Sequence, residues 1–177
     1  MKINIFNRQK KVEIDSSLFG RIAKYAAGKF NSSKDVELNI VFAGKEEIAD
    51  LNKKYRNTHG PTDVLSFSYL SYQNPGEKSS TVNTVVSCNN QGLLQFFKSS
   101  CPYAAGEIII SPEVAEENVK NKNKKDPCWN VNREITLLIV HGVLHIYDYD
   151  HDNRQNRVEM ENIQKSILND LLSNFTI

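Results

Sequence analysis

The sequence predicts an α+β fold, a single domain in which a mixed β-sheet of about four strands packs with helices. In the first half, segments rich in β-branched residues alternate with segments whose apolar residues recur at helical spacing. The second half is almost entirely helical in its periodicity. At 177 residues, the chain has the length of one ordinary domain. We therefore expect residues 1–177 to form one unit.

The first half predicts two strand and helix pairs. A strand near residues 2–6 precedes a helix from about Ser16 to Lys29. A strand from Val36 to Phe42 then precedes a helix from about Lys45 to Tyr55. Each strand is short and bounded by polar segments, as expected for a sheet covered by helices.

Two further strands follow, with a long segment between them. One runs from Asp63 to Ser68 after a Gly-Pro turn, and the other runs from Glu107 to Ile110 and is apolar enough to be buried. Residues 69–105 are rich in Ser, Asn and Gln and predict an insertion or a long loop. The few apolar residues in this segment leave open whether part of it docks on the domain.

The second half predicts three helices. A short one follows Pro112, a second extends from about Val131 to Tyr147, and a third from about Arg154 to Leu172. The Lys- and Asn-rich stretch from Lys120 to Lys125 is predicted to connect the first two. Four positions of the middle helix share one apolar face that we expect to lie on the core: Ile135, Ile139, Gly142 and Ile146.

Composition restricts the partners and the location. The formal net charge is +1, so no global field draws the chain onto nucleic acid, and any phosphate binding must be local. Three widely spaced cysteines suit neither a disulfide framework nor a zinc ribbon. No segment has the length of apolar sequence that a membrane span needs, and the first residues form no secretory signal. We expect a cytoplasmic protein with no membrane or DNA partner.

Three of the four histidines lie within eleven residues, at His141, His145 and His151. Residues four apart on a helix lie on the same face, so His141 and His145 can direct two ring nitrogens to one point. His151 can reach that point only if the chain leaves the helix after Tyr147. Asp148 is the predicted turning residue, because Asp tolerates the left-handed conformation better than most residues.

Three imidazoles predict a site for one divalent metal, with zinc as the expected ion. A zinc site with three protein ligands keeps its fourth position open for water, which is typical of a catalytic centre. A structural site is less consistent with the sequence, since no cysteine lies nearby. The alternative is that the three histidines have unrelated roles as a helix cap, a core residue and a solvated side chain.

The histidine spacing is also similar to that of the metzincin metallopeptidases, which carry Glu directly after the first histidine as general base. Here that position is Gly142, which cannot transfer protons. A peptidase would need another carboxylate, such as Glu107 or Asp150. Hydrolysis of a different bond is therefore favoured.

Three blocks of sequence resemble the YbeY endoribonucleases, also called ribosomal RNA maturation factors. Residues 141–151, with the pattern His-Gly-x-Leu-His-x-x-x-Tyr-Asp-His, are similar to the family signature. Residues 51–56, with Leu-Asn-x-x-Tyr-Arg, and residues 61–67 resemble its second block. Residues 106–111 are similar to its short Gly-Asp strand, and the blocks occur in family order.

The resemblance implies a single α+β domain whose three histidines hold a metal. It further implies cleavage of single-stranded RNA, maturation of the small-subunit ribosomal RNA 3′ end, and late ribosome quality control, with the ribosome and its proteins as partners. His141, His145 and His151 are the predicted metal ligands, and Arg56 and His141 the predicted catalytic residues. Whether water or the RNA 2′-hydroxyl attacks stays open.

The chain departs from the family pattern at three places. Asp148 stands where the family usually has Gly, and Glu107 stands where it usually has Asp. The segment 69–105 also differs, which bears on substrate choice more than on chemistry. If Asp148 is left-handed, the turn before His151 is strained by about 1–2 kcal/mol.

Arg56 is the candidate cation because its planar fork can grip two phosphate oxygens. The alternative is a surface salt bridge with Glu47 or Asp50. Other polar groups have weaker predicted roles. Thr62, Asp63 and Ser66 could orient a histidine, His59 is predicted to be solvated, and the Lys120–Lys125 run is predicted to be a solvated loop rather than an RNA contact. A second hypothesis is a ribosome-binding assembly factor whose metal serves stability.

Overall fold

The computed structural model describes residues 1–30, 36–69, 104–122, 126–151 and 153–177. Within these ranges it contains four strands and five helices, which confirms the predicted α+β class. The elements in chain order are β1 (Lys2–Asn7), α1 (Ser16–Gly28), β2 (Glu37–Phe42), α2 (Lys45–Arg56), β3 (Val64–Ser68), β4 (Ala104–Ile110), α3 (Pro112–Lys122), α4 (Val131–Ile146) and α5 (Arg154–Asn174).

The four strands form one mixed sheet in the order β1-β2-β4-β3. β2 pairs in parallel with both β1 and β4, whereas β3 runs antiparallel to β4. β4 is therefore a central strand, and its segment Ile108–Ile110 is buried on both faces. This explains why the strand reads as a continuous apolar run rather than an alternating one.

The two faces of the sheet have separate cores. Alternate residues of β2 and β4, such as Ile40 and Ile108, pack with α1 and α4 in the larger core. The residues between them, such as Val41 and Ile109, pack with Ile48 of α2 in the smaller core on the other face. The register of the sheet thus places α2 and α4 on opposite sides of it.

Polar side chains mark the starts of three helices. Asp15 accepts a hydrogen bond from the backbone N–H of Leu18 at the start of α1. Asn130 and Asn153 do the same for α4 and α5. Each cap satisfies a backbone donor that has no partner within its own helix. In the described ranges, no helix combines the length and the apolar character needed to cross a bilayer.

Helix α4 lies very close to β4, and a glycine on each element permits this. A Cβ added at Gly142 would lie 2.7 Å from Cγ2 of Ile108. On the strand, a Cβ added at Gly106 would lie 2.5 Å from Cδ1 of Ile146 and would also collide with the backbone carbonyl of Phe67. The predicted apolar face of α4, including Gly142, is therefore the face that contacts the sheet.

One predicted connection is partly wrong. The stretch from Lys120 to Lys125 was expected to be a loop, but α3 continues to Lys122. Lys120 pairs with Glu116 one turn earlier, at 3.5 Å, a spacing that favours helix. The remainder of that stretch, together with residues 70–103 of the predicted insertion, lies outside the described residues.

Gly142→Ala tests the close packing of α4 on β4. We expect it to lower the free energy of unfolding by about 1–3 kcal/mol through overpacking, although Ala is the better helix former. Chemical denaturation measures the change. In a chain that also carries Ile108→Ala, the cost of Gly142→Ala should shrink, because the three colliding carbon atoms are gone.

Gly28→Ala is the matched control, since an added Cβ at Gly28 meets no atom within 4 Å. This variant should be neutral or more stable by up to about 1 kcal/mol. Equal effects of the two substitutions would show that Gly142 has no packing role.

Candidate metal centre

His141 and His145 project from the same side of α4, one turn apart. Gly142, the residue after His141, faces Ile108 of β4. His141 and His145 therefore lie on a different face of α4 from the one that contacts this strand. A hydrogen bond from the sheet also holds the last turn of α4. Ser68 of β3 donates its hydroxyl proton to the carbonyl of Ile146 at 2.9 Å, which satisfies a carbonyl at the helix end.

The chain turns sharply after α4. Asp148 has φ of 60°, the left-handed conformation that was predicted for it, and the N–H of Tyr149 donates back to the carbonyl of Leu144. Phe30 holds this turn from outside, with its ring stacked on Tyr147 at 4.9 Å and tilted against Tyr149 at 5.5 Å. The turn reverses the chain direction and directs it back towards α4.

This reversal brings the third histidine to the other two. Candidate ligand atoms of His141, His145 and His151 all lie within 4.8 Å of one another. The closest pair is Nε2 of His141 and Nε2 of His145, 3.0 Å apart. His145 is fully buried, whereas the side chain of His151 is 40% exposed, so the cluster opens to solvent on the His151 side.

Two polar groups, Gln164 and Asp150, help to position His141 and His151. Oε1 of Gln164, on α5, lies 3.0 Å from Nδ1 of His141. It can accept the Nδ1 proton, which leaves the Nε2 lone pair of His141 directed into the cluster. Asp150 is 5% exposed and accepts a hydrogen bond from the backbone N–H of His151 at 2.6 Å. That contact fixes the backbone from which His151 projects.

Burial favours the neutral form of His141 and His145. The pKa of His145 falls to about 3, chiefly because burial disfavours the charged ring, with His141 and His151 adding to the effect. The pKa of His141 is also lowered, mainly by burial, although its hydrogen bond to Gln164 opposes this. Neutral imidazole is the form that offers a lone pair to a metal.

The donor set fits a zinc ion. Two nitrogens that each bind a tetrahedral zinc at about 2.0–2.1 Å lie about 3.3 Å apart, close to the 3.0 Å that separates Nε2 of His141 from Nε2 of His145. Two neutral rings with facing nitrogens need either a shared proton or a cation between them. In the described part of the chain, no cysteine or carboxylate joins this candidate ligand group.

Arg56 is the last residue of α2, on the opposite side of the sheet from α4 but close enough to act on the cluster. Its charge contributes to the lowered pKa of His145, after the larger effects of burial and the neighbouring rings. Glu47 was the alternative partner predicted for Arg56, but it forms an ion pair with Arg8 instead, at 2.9 Å. Among the described residues, Arg56 forms no ion pair.

The other residues of the Leu-Asn-x-x-Tyr-Arg block hold Arg56 in place. The amide of Asn52 donates to the carbonyl of Gly60 at 2.9 Å and ties down the loop that follows Arg56. Tyr55 packs edge-on against Phe67 of β3, with ring centroids 5.4 Å apart. Asn57 closes the helix in the left-handed conformation. The end of α2 is therefore anchored to the sheet.

The two carboxylates considered as a peptidase base differ in position. Asp150 lies beside the histidines. Glu107 lies in β4 on the face away from α4, where the Asn39 amide donates to it. Burial there raises the pKa of Glu107 to about 7, against the opposing effect of Asn39 and Tyr69. Glu107 is therefore not part of the cluster.

The remaining predicted polar groups contact no histidine directly. Thr62 donates to Asp63, and Asp63 in turn accepts from the backbone N–H of Val64 at the start of β3. Ser66 is buried, and His59 is exposed as predicted. Gln164, which contacts the ring of His141, was not predicted from the sequence. Its signal is a polar residue on the apolar face of α5, four residues after the buried Met160.

Comparison with known proteins identifies the family. The family model described as Endoribonuclease YbeY matches residues 4–172. The chain belongs to the YbeY endoribonuclease family. A relative named Endoribonuclease YbeY from Listeria welshimeri is 30% identical over 169 residues, covering 95% of this chain and 94% of the relative. One from Listeria innocua is 33% identical over 154 residues, covering 87% and 84%.

The YbeY assignment agrees with the fold and with the sequence resemblance. A further YbeY relative, from Clostridium botulinum, is 31% identical over 169 residues, covering 94% of this chain and 95% of the relative. A Thermotoga maritima protein with a solution structure superposes with a TM-score of 0.56 at 23% identity, over 97% of this chain and 90% of that one. At that identity, the superposition shows a shared fold alone.

A pair of substitutions at Asp148 measures the strain in the YbeY turn. Asp148→Gly and Asp148→Ala both remove the aspartate side chain, so their difference reports the backbone. We expect the glycine variant to be more stable by about 1 kcal/mol, because only glycine adopts positive φ without cost. Thermal and denaturant unfolding of both variants give the difference.

Asn162, exposed on α5, is the matched control position. In a helix the order reverses, and Asn162→Ala should be more stable than Asn162→Gly by about 1 kcal/mol. If alanine is also preferred at position 148, the left-handed turn is not a constraint.

Proposed function

We propose that this protein is a zinc-dependent endoribonuclease that cleaves single-stranded RNA during maturation of the small-subunit ribosomal RNA 3′ end. The observation that carries the proposal is the grouping of three histidine ligand atoms within 4.8 Å of one another, in a cluster that opens to solvent at His151. Membership in the YbeY endoribonuclease family indicates that the bond cleaved is a phosphodiester bond within an RNA chain. The proposal extends to late ribosome quality control, with the ribosome and its proteins as partners, in the cytoplasm.

The roles of the chain's own residues follow from their positions. His141, His145 and His151 are the proposed ligands, and burial keeps the first two neutral and ready to bind. Gln164 fixes the ring orientation of His141. When bound, the ion supplies Lewis acidity that polarises a phosphoryl oxygen and activates a hydroxyl nucleophile. In this proposal His141 counts as a catalytic residue, because it would bind the ion that contacts the reacting phosphate.

Arg56 is proposed to bind the scissile phosphate. Its guanidinium offers paired N–H donors to two phosphate oxygens and offsets the negative charge that builds up in the transition state. The anchored end of α2 limits the movement of the Arg56 backbone, so only the side chain itself has to be ordered on binding. The whole chain, residues 1–177, is proposed to act as one catalytic domain without membrane or DNA partners.

Substitutions of the histidines and of Arg56 should separate metal binding from turnover. His141→Ala and His145→Ala should lose bound zinc and RNA cleavage together. Arg56→Ala should retain about one zinc per chain and lose about 100-fold or more in turnover. Elemental analysis of the purified variants, beside cleavage of a labelled single-stranded RNA, gives both values.

His59→Ala and Lys53→Ala are the matched controls, because both side chains are exposed and Lys53 carries the same charge on the same helix. Both should keep zinc and activity. Histidine variants that cleave RNA at the wild-type rate would contradict the proposal. Full rescue of ribosomal RNA maturation in cells by the Arg56→Ala protein would instead favour an assembly role without catalysis.

A further inference from the structure

Asp150 is a buried carboxylate beside the histidine cluster. The residue is 5% exposed. One oxygen, Oδ1, accepts the backbone N–H of His151 and also lies 3.4 Å from Nδ1 of the His151 ring. The other oxygen, Oδ2, is buried and has no hydrogen-bond partner. Asp150 therefore has one oxygen that serves the backbone and one whose hydrogen-bonding capacity is unused.

No permanently charged side chain of the described residues contacts this carboxylate. Burial of a charge costs free energy unless a counter-charge or hydrogen bonds offset the loss of water. The rings of His141 and His145 do not supply a counter-charge, because burial favours their neutral form. A divalent cation held by the three histidines would supply the positive charge that this carboxylate lacks.

The charge of Asp150 acts on the cluster. Burial lowers the pKa of His141, and the charge of Asp150 is among the smaller effects that oppose this. Coulomb attraction is stronger where water is excluded, and it grows with the charge of the partner. An ion bound at the rings would carry twice the charge of a protonated imidazole. The carboxylate would therefore attract such an ion more strongly than it attracts a proton on His141.

His151 is the histidine whose ring depends most on a polar partner. Its side chain is 40% exposed, whereas His145 is fully buried and His141 has Gln164 at 3.0 Å from Nδ1. Histidines that bind a metal through one nitrogen usually donate the proton of the other to a carboxylate or carbonyl. For His151 the corresponding acceptor is Oδ1 of Asp150, just beyond the usual hydrogen-bond distance from Nδ1.

We propose that the Asp150 carboxylate is a positioning residue of the metal centre, which strengthens the binding of a divalent cation through its negative charge and by accepting the Nδ1 proton of His151. This inference rests on the proposed function, because it concerns the same three-histidine site. Asp150 itself binds neither the ion nor the substrate in this proposal. It acts on the ion through the His151 ring and through the electric field of its charge.

A purely structural role for Asp150 predicts a different outcome. In that case only the hydrogen bond to the backbone N–H of His151 matters, as in many turns that contain Asp. Asp150→Asn keeps an oxygen for that bond and places an amide nitrogen where Oδ2 has no partner. It removes the negative charge alone. Asp150→Ala removes the charge and the hydrogen bond together.

The zinc affinity of the full-length protein, measured by competition with a chromophoric chelator, separates the two roles. Asp150→Asn should weaken zinc binding by about 10–100-fold, as expected when the partner of a metal-binding histidine is lost. Chemical denaturation of the zinc-free protein should show no loss of stability, because the substitution removes a buried charge that has no charged partner. Asp150→Ala should lose at least as much zinc affinity and should also unfold more readily, since the bond to His151 is gone.

Asp148→Asn is the matched control. Asp148 lies in the same turn, two residues before Asp150, and is exposed. Asn tolerates the left-handed conformation, so the substitution removes an equal charge with little added strain. Zinc affinity should change by about twofold at most, because solvent screens an exposed charge. Equal losses in the two Asn variants would overturn the proposal, as would wild-type zinc affinity in Asp150→Asn.

The tautomer of His151 in the zinc-loaded wild-type protein gives a second test that needs no substitution. Long-range proton–nitrogen NMR correlations distinguish the two nitrogens of an imidazole ring. We expect Nδ1 of His151 to carry the proton and Nε2 to bind zinc. Zinc on Nδ1 would overturn the proposal, because that nitrogen could not then donate to Asp150.

These measurements contain no RNA, so they distinguish this inference from the proposed function. Zinc affinity that depends on the Asp150 charge, in a protein that cleaves no single-stranded RNA, would refute the nuclease and keep the role of Asp150. Zinc-dependent cleavage, combined with unchanged zinc affinity in Asp150→Asn, would refute the role of Asp150 and keep the nuclease.

Discussion

The contact of α4 with β4 is the constraint on which the rest of this structure depends. Gly142 and Gly106 let the helix approach the strand more closely than any larger residues would allow. Interiors are packed densely, so this contact sets both the height of α4 above the sheet and its rotation about its own axis. Because the helix presents Gly142 to the sheet, His141 and His145 must face elsewhere.

The same glycine separates this protein from the peptidases with similar histidine spacing. A glutamate after His141 would have to occupy space already filled by Ile108. The helix face that carries the general base in metzincins is here a packing surface. The polar groups near the histidines therefore come from other segments: Gln164 on α5, Asp150 in the turn and Arg56 on α2, whose charge lowers the pKa of His145.

Much of the fold could be predicted because its signals are local. The nine elements of the described residues all correspond to patterns in the sequence, with ends within a few residues of those expected, apart from the longer α3. The histidine cluster could also be predicted, since two of the histidines are separated by one helical turn and the third follows a turn that Asp148 can form. These features depend on neighbours in sequence, which propensity and spacing describe well.

The rest depends on how separate elements meet. Gln164 contacts a residue 23 positions away, and only the packing of α5 on α4 brings the two together. The cavity beside His141 draws its walls from β3, α3, α4 and α5, and sequence periodicity does not give the relative rotation of these elements. The position of Glu107 also depends on the assembled sheet, because strand alternation places it on the face opposite to α4 and away from the histidines. A sequence pattern alone left it open as a catalytic carboxylate.

X-ray absorption at the zinc edge of the metal-loaded protein tests the central claim most directly, because it reports the atoms around the ion. Three imidazole nitrogens at about 2.0–2.1 Å and one further oxygen are the expected shell. A sulfur shell near 2.3 Å, or imidazole scattering too weak for three rings, would contradict the three-histidine centre.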